Sequence, residues 1–357
     1  MKPEQEISAA AVPMRKVGPL RLVGPEAAGD VLVPLATYES PLWPSVERGA
    51  RVTAQAGGIR ALVLDERMTR SVLVDAPGAA GAQELVRFVE AERAALADVA
   101  AGTSRFARLK DVRSEIVGHL VFLRFEFATG DAAGHNMVTR AADALLAWIL
   151  EKRPECSYGS ISGNYCCDKK ASAVNGILGR GKRVVAETRI PRRLVERYLH
   201  TTPEKIVELN WRKNWVGTAL AGGVRSANAH FANMLLGFYL ATGQDAANVV
   251  EGSQGFVLAE TRDDALDFSV TLPNLIVGTV GNGKGLPFVE ENLRALGCRE
   301  PREPGANARR LAAICAATVL CGELSLLAAQ TNPGELMAAH LRLERGTWWP
   351  KSRSSSW

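Results

Sequence analysis

With 357 residues, 47% hydrophobic and 23% charged, the chain has an ordinary globular composition and can bury one large core or two smaller ones. Its net charge of +5, from 43 basic and 38 acidic residues spread along the sequence, suits an anionic small molecule and is too weak to indicate nucleic acid. Six cysteines without a CxxC pair or a histidine at ligand spacing argue for reduced thiols and no metal site, and the absence of a basic signal start and of an uncharged run of about 20 apolar residues argues for a soluble, cytoplasmic protein with no membrane span.

Residues 1–30, punctuated by Pro and Gly, read as an extended N-terminal arm. An apolar run over Val31–Thr37 ends at Tyr38-Glu39-Ser40, where Glu39 is either a poised acid or the first residue of a helix. Val52–Thr69 reads as two short strands around Gly57-Gly58. Apolar spacing then predicts an amphipathic helix over Glu84–Ala100. Val117–Phe127 has strand composition and runs through Gly130-Asp-Ala-Ala-Gly-His-Asn-Met137 into a helix over Val138–Lys152. These pieces form a compact α+β unit inserted into a larger domain. Its Gly-rich turn either offers backbone N–H groups to a phosphate or has only a structural role; Ser104, Arg105 and Arg108 nearby favour the phosphate.

Next comes Ser160-Ile-Ser-Gly-Asn-Tyr-Cys-Cys-Asp-Lys-Lys170, a carboxylate beside two ammonium groups, flanked by apolar residues that would draw them toward the interior. A lysine so placed has a shifted pKa or serves as a fixed cation for an oxyanion; alternatively the triplet is a solvated helix start. Gly176–Arg183 nearly matches a P-loop, but Arg183 stands where Ser or Thr must hold magnesium. Val184–Ile190 reads as a strand, Arg192–His200 as a short helix, and Thr202-Pro203-Glu204 as the start of another. Gly217–Thr242 is rich in small residues, as in closely packed helices, and ends near Asp245. Phe256–Thr261 and Asp267–Pro273 read as a strand pair. The loop Gly278–Gly285 is not a dinucleotide fingerprint. Asn307–Gln330 is a buried helix, and a polar tail carries His340.

Laid end to end, these motifs resemble the 3-hydroxy-3-methylglutaryl-CoA (HMG-CoA) reductase family from Val31 to His340. The match rests on Ser162-Gly-Asn-Tyr-Cys-Cys-Asp-Lys-Lys170, Gly130–Met137, Ser104–Leu109, Asn228-Ala-His-Phe-Ala-Asn233 with Gly243-Gln-Asp-Ala-Ala247, Gly278-Thr-Val-Gly281 and Gly322-Glu-Leu-Ser-Leu326. The pattern is closer to the NADPH-using eukaryotic type than to the NADH-using bacterial type. The resemblance implies a large α/β substrate-binding domain (31–71 and 161–335), an inserted ferredoxin-like small cofactor-binding domain (72–160) and a C-terminal flap (336–357).

It also implies a catalytic set of Glu39, Lys169, Asp245 and His340. Two hydride transfers take a thioester through a hemithioacetal and an aldehyde to an alcohol. Lys169 would stabilise the oxyanion, Glu39, kept neutral by burial, would donate a proton, Asp245 would hold the lysine cationic, and His340 would protonate the departing CoA thiolate. Arg70, Ser162, Lys170, Lys213 and Asn233 match the substrate-binding positions; Ser104, Arg105, Asp131, His135, Asn136 and Met137 match the cofactor side. NADPH, two per turnover, HMG-CoA, no metal, no nucleic acid, and a homodimer or dimer of dimers with shared sites complete the expectation. Rivals are a reductase of a related acyl-CoA and a non-catalytic CoA- or nucleotide-binding paralogue. Departures from the pattern are Val12–Pro19 in place of the upstream Glu-Asn-Val-Ile-Gly segment, Ser40-Pro-Leu-Trp-Pro44, Arg225-Ser226, Lys284, Gly346 in place of a regulatory serine, and no membrane anchor.

Overall fold

The structure, a computed structural model, describes residues 10–344; Gly346 and the rest of the tail lie outside the described residues. Strands β1 (Met14–Val23) and β2 (Ala28–Ala36) form an antiparallel hairpin. Val17, Leu20 and Leu22 on one strand and Val31, Val33 and Leu35 on the other are buried. The expected arm is therefore corrected from residue 14 onward: two alternating apolar sets match, so the stretch pairs and enters the core.

Helix α1 (Leu42–Gln55) replaces the first of the two strands expected around Gly57-Gly58. Leu42, Val46, Gly49, Ala50 and Thr53 recur at helical spacing and are all buried. Only after the Gly57-Gly58 turn does β3 (Arg60–Asp75) begin.

The helix expected over Glu84–Ala100 is in fact two, α2 (Gly78–Ala91) and α3 (Arg93–Thr103). At the break, the Arg93 guanidinium reaches Asp111 (2.6 Å) and the Val112 carbonyl (3.0 Å), turning the second helix onto the sheet. Then follow β4 (Arg108–Val117), β5 (Leu120–Ala128), α4 (His135–Lys152) and the short β6 (Ser157–Ser160). The remainder comprises α5 (Ala173–Leu178), β7 (Gly181–Pro191), α6 (Arg192–Leu199), α7 (Pro203–Leu209), a π-helical stretch over Asn210–Gly217, α8 (Thr218–Leu220), β8 (Ser226–Ala227), α9 (Phe231–Ala241), α10 (Val249–Gly252), β9 (Gly255–Arg262), β10 (Ala265–Leu275), α11 (Pro287–Ala295), α12 (Ala306–Gln330) and α13 (Glu335–Glu344).

One long strand links two cores. Arg60–Arg67 of β3 pairs with β7, which continues through β10 and β9 to β8; Met68–Asp75 pairs with β5, which continues to β4, while β6 takes the other edge of β3. The β4-β5-β3-β6 order, all antiparallel and with α2, α3 and α4 between strands, is a split β-α-β arrangement. Its hydrophobic cluster runs from Met68 to Cys156 with Ile276 added, whereas the larger cluster surrounds α12. Among the described residues α12 alone is long and apolar enough to cross a bilayer, and it is buried within this core. Gly49 makes that packing possible: a Cβ there would sit 2.1 Å from the Cys321 carbonyl oxygen, so α1 and α12 meet backbone to backbone. All six cysteines are free thiols.

Candidate active site

The loop from Ile161 to Ser172 leaves β6 and ends where the Ser172 hydroxyl caps α5 by accepting from the Asn175 amide. Asp168, Lys169 and Lys170 thus precede the helix and belong to an irregular loop, not to a solvated first turn. Asn164, Cys167 and Lys169 all adopt left-handed backbone conformations (φ 60°, 45° and 56°), which L-residues avoid unless their surroundings impose them. Only Asp168 is half-buried; both lysines are exposed, contrary to the interior position expected from their apolar flanks.

The Lys169 ammonium lies 2.8 Å from the Asp245 carboxylate. Asp245 is placed by the turn before it. Gly243 has φ 63°, and a Cβ there would lie 2.5 Å from the Gly283 carbonyl oxygen, so only glycine permits the approach. The buried Lys284 ammonium donates to the Gly243 carbonyl and fastens the same turn; burial, with help from the Arg299 charge, pushes this lysine down to about 8. The hydrogen bond that the Lys169 ammonium donates to Asp245 raises the lysine pKa, outweighing burial. Burial opposes ionisation of Asp245, but the Lys169 hydrogen bond and charge together pull its pKa below the ordinary value.

Beneath this pair lies a buried charge relay. Arg180, fully buried, reaches Glu251 (2.8 Å), Asp168 (3.1 Å) and the Thr69 hydroxyl (3.2 Å). The Lys169 amide in turn donates to Glu251 (3.1 Å), whose pKa burial pushes up. His135, at the start of α4, turns Nε2 to within 3.8 Å of the Asp168 carboxylate. Burial and the Arg180 charge drive its pKa down to about 4, so its imidazole is neutral at physiological pH.

A second cluster forms around Glu39. A cavity of about 510 Å³ is lined by Glu39, Ser45, Arg48, His230, Asn233 and Glu335, among others. The Asn233 amide lies 3.4 Å from His230 Nδ1, and the buried Glu323 accepts from the backbone N–H groups of Ala229 (2.9 Å) and His230 (2.6 Å). Burial lowers the Lys213 pKa, and the Glu323 charge opposes it. Through Pro44 and Arg48 the cavity adjoins a hollow of about 330 Å³, basic on balance, that adds Arg51, Arg197, His200 and Tyr198 and one carboxylate, Glu47. Glu39 itself is exposed, so its own chain does not supply the burial expected to keep it protonated. Among the described residues its carboxylate has no ion pair with Lys169. His340 falls within α13, but its side chain lies outside the described residues.

The other expected residues divide between these surroundings. Arg70 is half-buried on β3, and Gly163, next to the exposed Ser162, donates to the Ser71 carbonyl (3.0 Å), so the lysine loop crosses the strand beside Arg70. The Lys170 ammonium bonds the Asp168 carbonyl (3.0 Å). Ser104 accepts from the Phe106 amide (3.2 Å), and the exposed Arg105 guanidinium sits 4.9 Å over the Phe106 ring. Asp131 accepts from the Gly305 and Ala308 amides (3.0 and 2.9 Å), capping α12. Asn136 is exposed and Met137 packs on the second core. Gly134 caps α4 without a side-chain hydrogen bond. No group of three or more potential metal ligands occurs among the described residues. Arg180, Glu251, Arg48 and Arg51 have no role in the sequence reading, and His230 and Glu323 stand there only inside the motifs Asn228–Asn233 and Gly322–Leu326, without a role of their own.

A family model described as hydroxymethylglutaryl-coenzyme A reductase matches residues 3–345. The chain is 46% identical over 345 residues to the 3-hydroxy-3-methylglutaryl-coenzyme A reductase of Pyrococcus abyssi, covering 96% of this chain and 84% of that one. It is 42% identical to 3-hydroxy-3-methylglutaryl-coenzyme A reductase 1 of Oryza sativa subsp. indica, covering 96% and 64%. In fold it is similar to the class II 3-hydroxy-3-methylglutaryl-CoA reductase of Streptococcus pneumoniae, solved bound to NADPH, with a TM-score of 0.73, 21% identity, and coverage of 93% and 78%.

Proposed function

The chain belongs to the hydroxymethylglutaryl-coenzyme A reductase family, and from that premise we propose that it reduces HMG-CoA to mevalonate and CoA with two NADPH, as a soluble cytoplasmic oxidoreductase of the mevalonate route to isoprenoids. The observation that carries the proposal is the Lys169–Asp245 pair, an ammonium kept charged at an otherwise open surface. Each reduction puts negative charge on the substrate carbonyl oxygen, and a cation already oriented stabilises it without reorganisation. Arg70 and Ser162, at the crossing of loop over strand, and Lys170 further along the loop are assigned to the distal carboxylate of the substrate. The cavity beside Glu39 takes the acyl arm, and the adjoining Arg48, Arg51, Arg197 and His200 hollow suits the phosphates of CoA.

NADPH, when bound, supplies the hydride. The residues present fit it: the uncapped start of α4 offers N–H groups to an anion, and Arg105 offers an exposed fork for a 2′-phosphate. Asp131 shapes this side by tying its loop to α12, and Ser104, His135, Asn136 and Met137 are assigned to the same side. The core around α12, to which β1 contributes along with 31–71 and 161–335, is assigned to substrate and the unit over 72–160 to cofactor.

Glu39 and Lys169 belong to separate clusters, so we assign a complete site to two subunits of a homodimer or a dimer of dimers. A second copy covering Glu39 would supply the burial that its role as proton donor needs. His340 is assigned to protonating the CoA thiolate. The test is to mix purified protein with HMG-CoA and follow NADPH and NADH oxidation separately. Two NADPH consumed per CoA released is the expected result; no turnover with either cofactor overturns the proposal.

A further inference from the structure

The left-handed residues of the lysine loop need something to hold them, and the holder lies outside the loop. Arg124, on β5, is fully buried, and so is Glu126 two residues later. The Arg124 guanidinium donates to the Tyr165 carbonyl (3.1 Å), the Asn175 side-chain oxygen (2.8 Å), the Gly179 carbonyl (2.8 Å) and Glu126 (3.1 Å). The Asn175 amide then donates to the carbonyls of Cys166 (3.0 Å) and Cys167 (3.2 Å). Four carbonyls, from both ends of the segment that carries Asp168 and Lys169, are therefore fastened to one planar fork and one amide. Cys167 (φ 45°) and Lys169 (φ 56°) lie between those fixed points. The same strand runs directly into the Gly130–Met137 loop and the start of α4.

We infer that Arg124 is a positioning residue for Lys169: with Asn175 it clamps the lysine loop in the shape that carries the ammonium to Asp245, and it does so from the strand that leads into the cofactor loop. The inference rests on the proposed role of Lys169. Chemistry favours arginine here, because only a fixed fork satisfies three oxygen partners and a carboxylate in one plane. Releasing the clamp would leave the substrate hollows around Glu39 and Arg51 intact, since Arg124 touches neither of them.

The test compares Arg124→Met, Arg124→Lys and Lys169→Ala in the full-length protein. In Arg124→Met, binding of free CoA measured by calorimetry should stay within about threefold, since Ser162 and Lys170 on the released loop face only the acyl carboxylate, while kcat with HMG-CoA falls by about 10²-fold, the scale of a misplacement near 1 Å. Arg124→Lys, which keeps the charge but not the fork, should fall between. The alkaline limb of kcat/KM should also move to lower pH in Arg124→Met, because a displaced Lys169 loses its bond to Asp245 while Asp168, Glu251 and His135 still surround it. A purely structural role would reduce the amount of active protein and leave that limb in place. Native circular dichroism with unchanged kcat in Arg124→Met overturns the inference. Should that variant not fold, Asn175→Ala carries the test: lowered kcat with intact binding supports the clamp, and unchanged kcat overturns it. Full activity in Lys169→Ala would instead sink the reading on which the clamp rests.

Discussion

Lys169 and Asp245 meet at 2.8 Å although each is about two-fifths exposed, and their mutual bond outweighs burial, so both stay ionised. An exposed pair of this kind adds at most about 1 kcal/mol to stability. Its value lies in chemistry: the bond to Asp245 raises the Lys169 pKa. Asp245→Asn should therefore leave the melting temperature nearly unchanged, cut kcat by about 10²-fold or more, and move the alkaline limb of kcat/KM down toward the ordinary lysine value. A pH–rate profile beside a melting curve checks all three, and an unmoved limb would sink the pairing.

His135 makes an opposite prediction at acid pH. Its pKa falls from 6.5 to about 4, first through burial and then through Arg180 and Lys169, with Asp168 and Asp245 pulling the other way. Between those values the unfolded chain binds a proton that the folded chain refuses, so stability is lost as pH falls from about 6.5 toward 4, by up to about 3 kcal/mol. His135→Gln should remove that slope. Comparing chemical denaturation midpoints of variant and wild type at pH 7 and pH 5 isolates it from the carboxylates common to both. Parallel curves would show that His135 carries no such shift.

Much of the fold was legible because its signals are local. The alternation in β5, the apolar run of α12 and the Thr202-Pro203 start of α7 declare themselves within one element. β4 was not legible: Arg108, Lys110, Asp111, Arg113 and Glu115 crowd it, the charge load of a sheet edge. α1 was hidden behind β-branched residues near its end and the glycines after it, and only packing against α12 decides it. At the site, motifs gave Lys169 and Asp245, whereas Arg124, Arg180 and Glu251 act through three-dimensional contacts that no spacing encodes.

Gly49 tests the packing directly. In a helix interior, alanine is favoured over glycine by about 1 kcal/mol. Here the added methyl would lie 2.1 Å from a backbone oxygen of α12, which cannot turn aside as a side chain could. Overpacking of this kind costs about 1–3 kcal/mol or more, so Gly49→Ala should destabilise, with a lower melting temperature. A stabilised variant would mean that α1 and α12 are not in contact.

Arg51 lies in the basic hollow beyond the Glu39 cavity, away from the assigned site of reaction. A charged hydrogen bond to a phosphate is worth about 1.5–3 kcal/mol. Arg51→Ala should therefore raise KM for HMG-CoA roughly 10- to 100-fold while leaving kcat within about threefold. The difference should shrink at high salt. A kcat loss without a KM rise would place the CoA phosphates elsewhere.

Glu39 shares no ion pair with Lys169 among the described residues, and Lys169 does not line the Glu39 cavity, which allows a decisive mixing experiment. Glu39→Gln and Lys169→Ala should each be inactive alone. Co-expressed with different affinity tags and purified through both, the hybrid carries one defective chain of each kind. If each site takes Glu39 from one subunit and Lys169 from the other, one site of the hybrid dimer receives both defects and the other receives neither. The hybrid should then recover about half of the wild-type activity, as an isologous twofold interface requires. If instead each chain builds its own site, every site in the hybrid lacks one group, and the purified hybrid stays as inactive as its parents.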